Sequence, residues 1–197
     1  HGCPSLITTA QVNHEDKPAT RMIPSEEHGS SSTPQHANPA ACSGRVIWET
    51  GFGITHSLCM ARSHRHFTGR DLLPGVTNPA ELAKALFSAP FVLVSHGIEE
   101  DPILNYGNAA ALALWDMTWM EFTRTPSRYT AEAPNREERA RLLAAVTSRG
   151  FIDDYSGVRI SRAGRRFRIA RATVWNLLAE DGRRCGQAAT FGTWEWL

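Results

Sequence analysis

The sequence lacks the features that mark membrane-spanning, zinc-stabilised or disulfide-stabilised proteins. None of its apolar runs approaches the roughly 18 residues that a membrane-spanning helix requires. Its four cysteines are scattered, with no CxxC or CxxCH spacing, which argues against structural zinc or a disulfide framework and favours a reducing, cytoplasmic compartment. Basic and acidic residues nearly balance, 21 against 20, so the overall charge gives no reason to expect nucleic acid or an anionic membrane as a partner.

Aromatic residues are missing from residues 1–44, which are rich in proline, serine and threonine. Such a segment buries too little apolar surface to offset the entropy of ordering it, so we predict a disordered tail over 1–44. Residues 45–71 carry apolar side chains at near-helical spacing and predict a helical N-terminal extension that begins near Thr55. Because the chain begins with His1, we expect its native start to lie upstream, which leaves a targeting signal unassessed.

The first strong helix signal is NPAE (78–81). An asparagine cap, a proline at the first helical position and a glutamate that can reach back to the cap amide together begin a helix, which ends before Pro90. The apolar, β-branched run FVLVSH (91–96) then predicts a central strand. After an Asp-Pro turn, residues 103–106 predict a short second strand.

The stretch LNYGNAAALALW (104–115) joins that second strand to a helix. We expect Gly107 to permit a sharp change of chain direction. Asn108 is then placed to cap a helix running from Ala109 to Trp115. The alanines allow this helix to lie close to the sheet.

The second half of the chain predicts one long helix and three long strands. The helix begins at an Asn135 cap, buries Leu142, Leu143 and Val146, and stops at Gly150. Three strand-like runs follow, separated by glycine-containing hairpin turns, at 151–161, 165–178 and 184–194. Two strands, short helices, a longer helix and three antiparallel strands are the order of a PAS domain. We therefore predict an α/β (α+β) fold with a five-stranded antiparallel sheet and helices on one face.

Several motifs in the region from about 72 to 194 resemble the MEKHLA domain, a PAS-related family. The motifs are PILNYGN (102–108), TPSR (125–128), GFIDDY (150–155), GRRF (164–167), ATVW (172–175) and CGQAATF (185–191). The chain is similar to the free-standing bacterial type, since residues 1–71 contain neither a homeodomain nor leucine heptads. The resemblance implies a PAS-like domain over 72–197 that acts as a sensory or protein-interaction module. It implies no catalytic chemistry for any residue.

A PAS fold places a pocket between the sheet and its helices, where a small molecule could bind. Eight residues are candidates for its lining because they combine apolar walls with a few polar groups: His96, Asn105, Tyr106, Trp115, Tyr155, Trp175, Cys185 and Gln187. The alternative is that the aromatic residues are simply core and the polar groups are satisfied hydrogen-bonding partners. We interpret the module as non-enzymatic, and a small enzyme that uses the same pocket is the rival reading.

The rival reading would require His96 and Cys185 to approach within hydrogen-bonding reach as a thiol–imidazole dyad. We expect no cofactor, because the flavin-linking Asn-Cys-Arg motif of light-sensing PAS relatives and haem-attachment motifs are both missing. We expect no metal either, since His64 and His66 have no carboxylate or thiolate at a matching interval.

Six arginines lie between Arg159 and Arg171. Phe167 and Ile169 alternate with Arg166 and Arg168, so one face of this strand is predicted to be apolar and the other basic. Arg166 and Arg168 are candidates for a surface that docks a partner protein or a second copy through the sheet face. A solvated face, or ion pairs with Asp153 and Asp154, are open alternatives. Nucleic acid is disfavoured because stacking aromatic residues are missing from the basic face.

Overall fold

A computed structural model describes residues 41–42, 45–132 and 135–197 of the chain. Most of the predicted disordered tail, residues 1–40 and 43–44, lies outside the described residues. The first described element is strand β1 (Ala41–Cys42), which pairs antiparallel with β2 (Arg45–Val46). A short 3-10 helix (Ile47–Glu49) follows and leads into the first α-helix.

Two capped helices precede the sheet. Helix α1 (Gly51–Thr68) begins before the predicted Thr55, because the Oγ1 of Thr50 caps it by accepting a hydrogen bond from the Gly53 amide at 3.0 Å. Helix α2 (Pro79–Phe87) is capped as predicted, with Asn78 Oδ1 accepting from the amides of the first turn. No helix in the described part of the chain is long and apolar enough to cross a membrane.

The central sheet is antiparallel throughout, in the order β4-β3-β7-β6-β5, with a further strand, β8, paired to β6. Its strands are β3 (Val92–His96), β4 (Leu104–Gly107), β5 (Phe151–Ile160), β6 (Arg166–Leu178), β7 (Arg184–Phe191) and β8 (Thr193–Trp196). The predicted strands are therefore present and antiparallel, and the sheet has one strand more than the five predicted.

The additional strand arises because β6 is longer than its neighbour β7. The second half of β6 pairs with β7, and its first half pairs with β8, from Phe167 opposite Trp196 to Ala170 opposite Thr193. The predicted last strand over 184–194 is thus two strands that meet at Gly192. The final residues cover a part of β6 that β7 does not reach.

Helices cover both faces of the sheet rather than one. Neighbouring residues of a strand point to opposite faces. Trp175 of β6 packs edge-on against His64 of α1, with ring centroids 4.9 Å apart. The next residue, Asn176, donates from Nδ2 to the carbonyl of Val146 at 2.9 Å. Since Val146 belongs to α5 (Arg136–Arg149), α5 lies on what we call the inner face and α1 on the outer face.

Aromatic rings fill the space between the inner face and helices α3 (Ala109–Trp115) and α4 (Trp119–Phe122). Trp115 is at the centre, in edge-to-face contact with Phe122, Phe167 and Phe191 at centroid distances of 5.3 to 6.3 Å. All four side chains are buried. Such edge-to-face pairs add to the stabilisation from burial.

Helix α5 differs from its prediction in how it begins and how it packs. Asn135 has helical backbone angles, and its side chain caps nothing. Only Val146 is fully buried, while Leu142 and Leu143 are half-buried. The helix does end at Gly150 as predicted, where φ is +92°. Helix α5 therefore has a weaker apolar contact with the sheet than the sequence predicts.

Gly107 is required for a different reason from the one predicted. It is the last residue of β4 and has no positive φ angle, so the expected sharp turn at Gly107 is wrong. A Cβ atom at this position would lie 2.7 Å from the ring of Phe122, which is fully buried. The missing side chain thus makes room for α4.

Asn108 connects four segments of backbone. Its Oδ1 accepts from the amides of Ala111 and Leu93, both at 3.1 Å, so it caps α3 as predicted and also fastens β3. Its Nδ2 donates to the carbonyls of Phe91 at 2.7 Å and Leu86 at 3.2 Å. The side chain is fully buried, and all four of its hydrogen-bonding positions are used.

Replacing Asn108 with Asp should destabilise the protein at least as much as replacing it with Ala. A carboxylate caps a helix well, but here it would place an oxygen against two carbonyl oxygens. We expect Asn108→Asp and Asn108→Ala each to cost about 3 kcal/mol, well above the roughly 1 kcal/mol of a cap alone. Urea denaturation measures both.

The matched control is Asn78→Asp, because the exposed Asn78 side chain only accepts hydrogen bonds. This control should be nearly neutral. An Asn108→Asp variant as stable as the control would show that the two hydrogen bonds donated by Asn108 do not contribute to stability, and would contradict the prediction.

Candidate ligand cavity

A cavity of about 60 Å³ lies between the inner face of the sheet and helices α3 to α5. Strands β3, β6 and β7 form one side, and α5 covers the other. Most of its wall is apolar, and this part includes Leu104, Phe122, Leu142, Leu143, Ile169 and Val174. An apolar cavity with a few polar groups is the usual form of a small-molecule site.

Four of the eight predicted pocket residues line this cavity: His96, Trp115, Tyr155 and Gln187. Gln187 is 2% exposed and donates from Nε2 to the Leu143 carbonyl, to Thr147 Oγ1 and to Asn176 Oδ1, at 3.0 to 3.1 Å. These contacts hold α5 against the sheet. Gln187 therefore positions the helix that covers the cavity.

His96 offers a hydrogen-bond acceptor to the cavity wall. Its Nδ1 lies 2.8 Å from the carbonyl oxygen of Gly97, which can only accept, so Nδ1 carries the proton. Burial lowers the pKa of His96 to about 4, with the Arg139 charge adding to the effect, so the ring is neutral at pH 7. Its buried Nε2 is then a bare acceptor without a hydrogen-bond partner among the described residues.

Trp115 offers a donor. Its indole Nε1 is buried and finds no hydrogen-bond partner in the described part of the chain. Buried polar atoms are normally paired, and an orphaned one in a native fold calls for an explanation. The His96 and Trp115 atoms are both fully buried atoms of residues that line the cavity, and four more such atoms among the described residues, of Ser57, Tyr106, Ser127 and Trp175, lie outside it.

Two arginines that the sequence analysis did not single out as pocket residues also line the cavity: Arg139 of α5 and Arg159 of β5. Arg159 is 7% exposed and donates to the Tyr155 hydroxyl at 3.2 Å and to the Val158 carbonyl at 2.8 Å. Burial lowers the pKa of Arg139 to about 10, and the nearby charge of Arg159 contributes. Within the described residues, no carboxylate forms a salt bridge with either arginine.

The position of Arg159 could have been found from strand pairing. Across the hairpin at Gly164, Arg159 lies opposite Phe167, and paired residues share a face of the sheet. Phe167 is fully buried on the inner side, so Arg159 points inward with it. For Arg139, helical spacing gives a similar signal, because it lies one turn before the predicted buried residues Leu142 and Leu143.

The other four predicted residues do not line this cavity. Strand alternation turns Trp175 to the outer face, beside His64 of α1. Asn105 and Tyr106 lie near α1 too: Asn105 Oδ1 accepts from Ser95, and the buried Tyr106 ring is 5.7 Å from that of His56.

Cys185 also contacts α1, with its sulfur 3.9 Å from that of Cys59. The His96–Cys185 dyad is therefore not formed. In the described residues, no cluster of three or more histidine, cysteine or carboxylate side chains could hold a metal ion.

The alternation of apolar and basic residues in β6 is confirmed, with Phe167 and Ile169 buried and Arg166 and Arg168 exposed. The acidic partner of Arg166 is not the one that the sequence suggests. Arg166 pairs with Glu132 at 3.0 Å rather than with Asp153 or Asp154.

Asp153 instead binds Arg70 and Thr173, each at 2.6 Å. Asp154 has a φ of +60°, so the two adjacent acids do not follow simple strand alternation. The role of Arg166 and Arg168 as a partner surface stays a prediction.

Comparison with solved structures identifies the class of fold. The chain is similar to the PAS domain of a protein from Colwellia psychrerythraea, with 13% identity, a TM-score of 0.51, and coverage of 59% of this chain and 94% of that one. It is also similar to an RNA-binding light-oxygen-voltage receptor, with 18% identity and a TM-score of 0.51, covering 60% of this chain and 34% of the receptor. At these identities the likeness shows the fold alone, which is a PAS fold.

The family is then given by a sequence model: the MEKHLA domain matches residues 54–196. The chain belongs to the MEKHLA domain family, which confirms the resemblance seen in its motifs. The match begins inside α1, ahead of the boundary predicted at residue 72. Comparison with curated protein sequences finds no match.

Two buried histidines with lowered pKa values predict how the stability of the fold depends on pH. Burial lowers the pKa values of His56 and His96 from 6.5 to about 4, so the unfolded chain binds these protons more tightly than the folded one. Their contribution is complete above pH 6.5 and is lost as the pH falls towards 4, with a slope of at most about 1.4 kcal/mol per pH unit for each histidine.

Urea denaturation across this interval measures the effect. His96→Asn keeps a donor for the Gly97 carbonyl but does not titrate, so it should reduce the slope by up to about 1.4 kcal/mol per pH unit. A stability that stays constant from pH 6.5 to about 4 would contradict the neutral state of both rings.

Proposed function

We propose that this MEKHLA domain is a sensory module that binds a small molecule in the cavity beneath α5 and has no catalytic activity. The observation that carries the proposal is the cavity itself, whose wall is mostly apolar and includes a few polar side chains, among them those of His96, Gln187, Arg139 and Arg159. Such a wall is the usual form of a small-molecule site.

The volume of the cavity limits the size of this ligand. Sites for drug-sized ligands have volumes of roughly 300–1,000 Å³. A cavity of about 60 Å³ is much smaller, so the site suits a metabolite of a few non-hydrogen atoms.

Helix α5 is the element best placed to report occupancy. It covers the cavity, buries only Val146 fully, and is tied to the sheet mainly by hydrogen bonds from Gln187 and Asn176. Elements with few buried apolar contacts move at low cost in free energy. A ligand that packs against Leu142 and Leu143 would stabilise one position of α5.

The thiol–imidazole dyad that would favour the rival reading of a small enzyme is not formed. Cys185, its candidate nucleophile, lies beside Cys59 of α1 and is not part of the cavity wall. Docking of a partner protein or a second copy at Arg166 and Arg168 stays a prediction. So does a cytoplasmic location.

A thermal-shift screen tests the proposal. We expect at least one small metabolite of a few non-hydrogen atoms to raise the melting temperature of the protein. Ala189→Leu, which adds a larger side chain to the cavity wall, should abolish the response. Ala140→Leu is the matched control, because Ala140 is exposed on α5. A screen without any response, or an equal response in Ala189→Leu, would contradict the proposal.

A further inference from the structure

The cavity carries positive charge that the protein does not neutralise. Arg139 and Arg159 both belong to its wall, and each arginine influences the other electrostatically. In the described residues no carboxylate lies within salt-bridge distance of either guanidinium group. Some exposed arginines of the described chain have such partners, as Arg166 has in Glu132, and others, such as Arg168, do not.

Leaving this charge unpaired is costly. Arg159 is 7% exposed, and it has two hydrogen bonds, to Tyr155 and Val158, for its five N–H groups. A buried charge is destabilising unless it is paired and hydrogen-bonded. Two like charges at the wall of a mostly apolar cavity raise that cost. An anion in the cavity would offset it.

The rest of the wall selects what kind of anion fits. Leu142, Leu143 and Ile169 supply apolar surface, so part of the ligand is a hydrocarbon chain. The volume of about 60 Å³ is far below the roughly 300–1,000 Å³ of drug-sized sites, so the hydrocarbon chain is short. The planar guanidinium group matches the two oxygens of a carboxylate.

We propose that the cavity binds a short-chain monocarboxylate, with its carboxylate at Arg139 and Arg159 and its hydrocarbon chain against Leu142 and Leu143. This inference rests on the proposed function, since it names the class of ligand for the same cavity. The two arginines carry the selection for a carboxylate, because they are the charged residues of the cavity wall.

Isothermal titration calorimetry with butyrate and butyramide tests the role of charge. The two molecules have nearly the same shape and differ in charge. At constant ionic strength, butyrate should bind about tenfold or more tightly than butyramide. Arg139→Gln and Arg159→Gln should each weaken butyrate binding about tenfold and narrow the difference in affinity between butyrate and butyramide.

The matched control is Arg168→Gln, an exposed arginine of β6 outside the cavity, which should not change either affinity. If Arg159→Gln fails to fold, Arg139→Gln still decides the question, because Arg139 makes no side-chain hydrogen bond to the other described residues. Equal weakening in Arg168→Gln would show a non-specific charge effect and overturn the inference.

The outcomes separate this inference from the proposed function. Butyramide that binds as tightly as butyrate, with both lost in Ala189→Leu, would overturn the carboxylate and leave the ligand cavity standing. If neither binds while another metabolite stabilises the protein in the thermal-shift screen, the carboxylate inference fails alone. If nothing binds in either experiment, both fail.

Discussion

Two buried amide side chains, Asn176 and Gln187, hold the inner side of this domain together. They lie opposite each other on β6 and β7 and are joined by a hydrogen bond of 3.0 Å. Both donate to carbonyl groups in the last turns of α5. These hydrogen bonds hold α5 in place at a few of its carbonyl groups. The space between α5 and the sheet therefore need not be filled by side chains, and a cavity remains. The cavity therefore depends on this pair.

Strand alternation also determines the outer face of the sheet, where side chains point away from α5 and towards α1. Trp175 and Ser95, each next to an inner-face residue, meet His64 and His56 of α1. Ser63 of α1 also accepts a hydrogen bond from the Leu178 amide. We propose that α1 is part of the domain rather than an extension of it, since the family match begins within this helix. The sheet is then a middle layer between two helical layers.

The sequence correctly predicted the features that depend only on residues close together in the chain. The cap at Asn78, the cap at Asn108 and the alternation around Phe167 are each determined by residues close in the chain. Gly107 was predicted to matter for the wrong reason, because its neighbour Phe122 comes from a later helix.

The two cavity arginines could have been placed from local patterns. Arg159 lies opposite Phe167 across the hairpin at Gly164, and Arg139 lies one helical turn before Leu142 and Leu143. The cavity beneath them could not, because it depends on how α5 packs over the sheet.

Hydrogen exchange measured by mass spectrometry on Gln187→Met tests most directly whether the two amides hold α5. The substitution keeps the size of the side chain and removes its donor group. Amides of α5 should exchange faster than in the parent protein, while those of α1 keep their rates, because α5 would open without the rest of the fold. Equal changes in α1 and α5, or none in α5, would contradict the account.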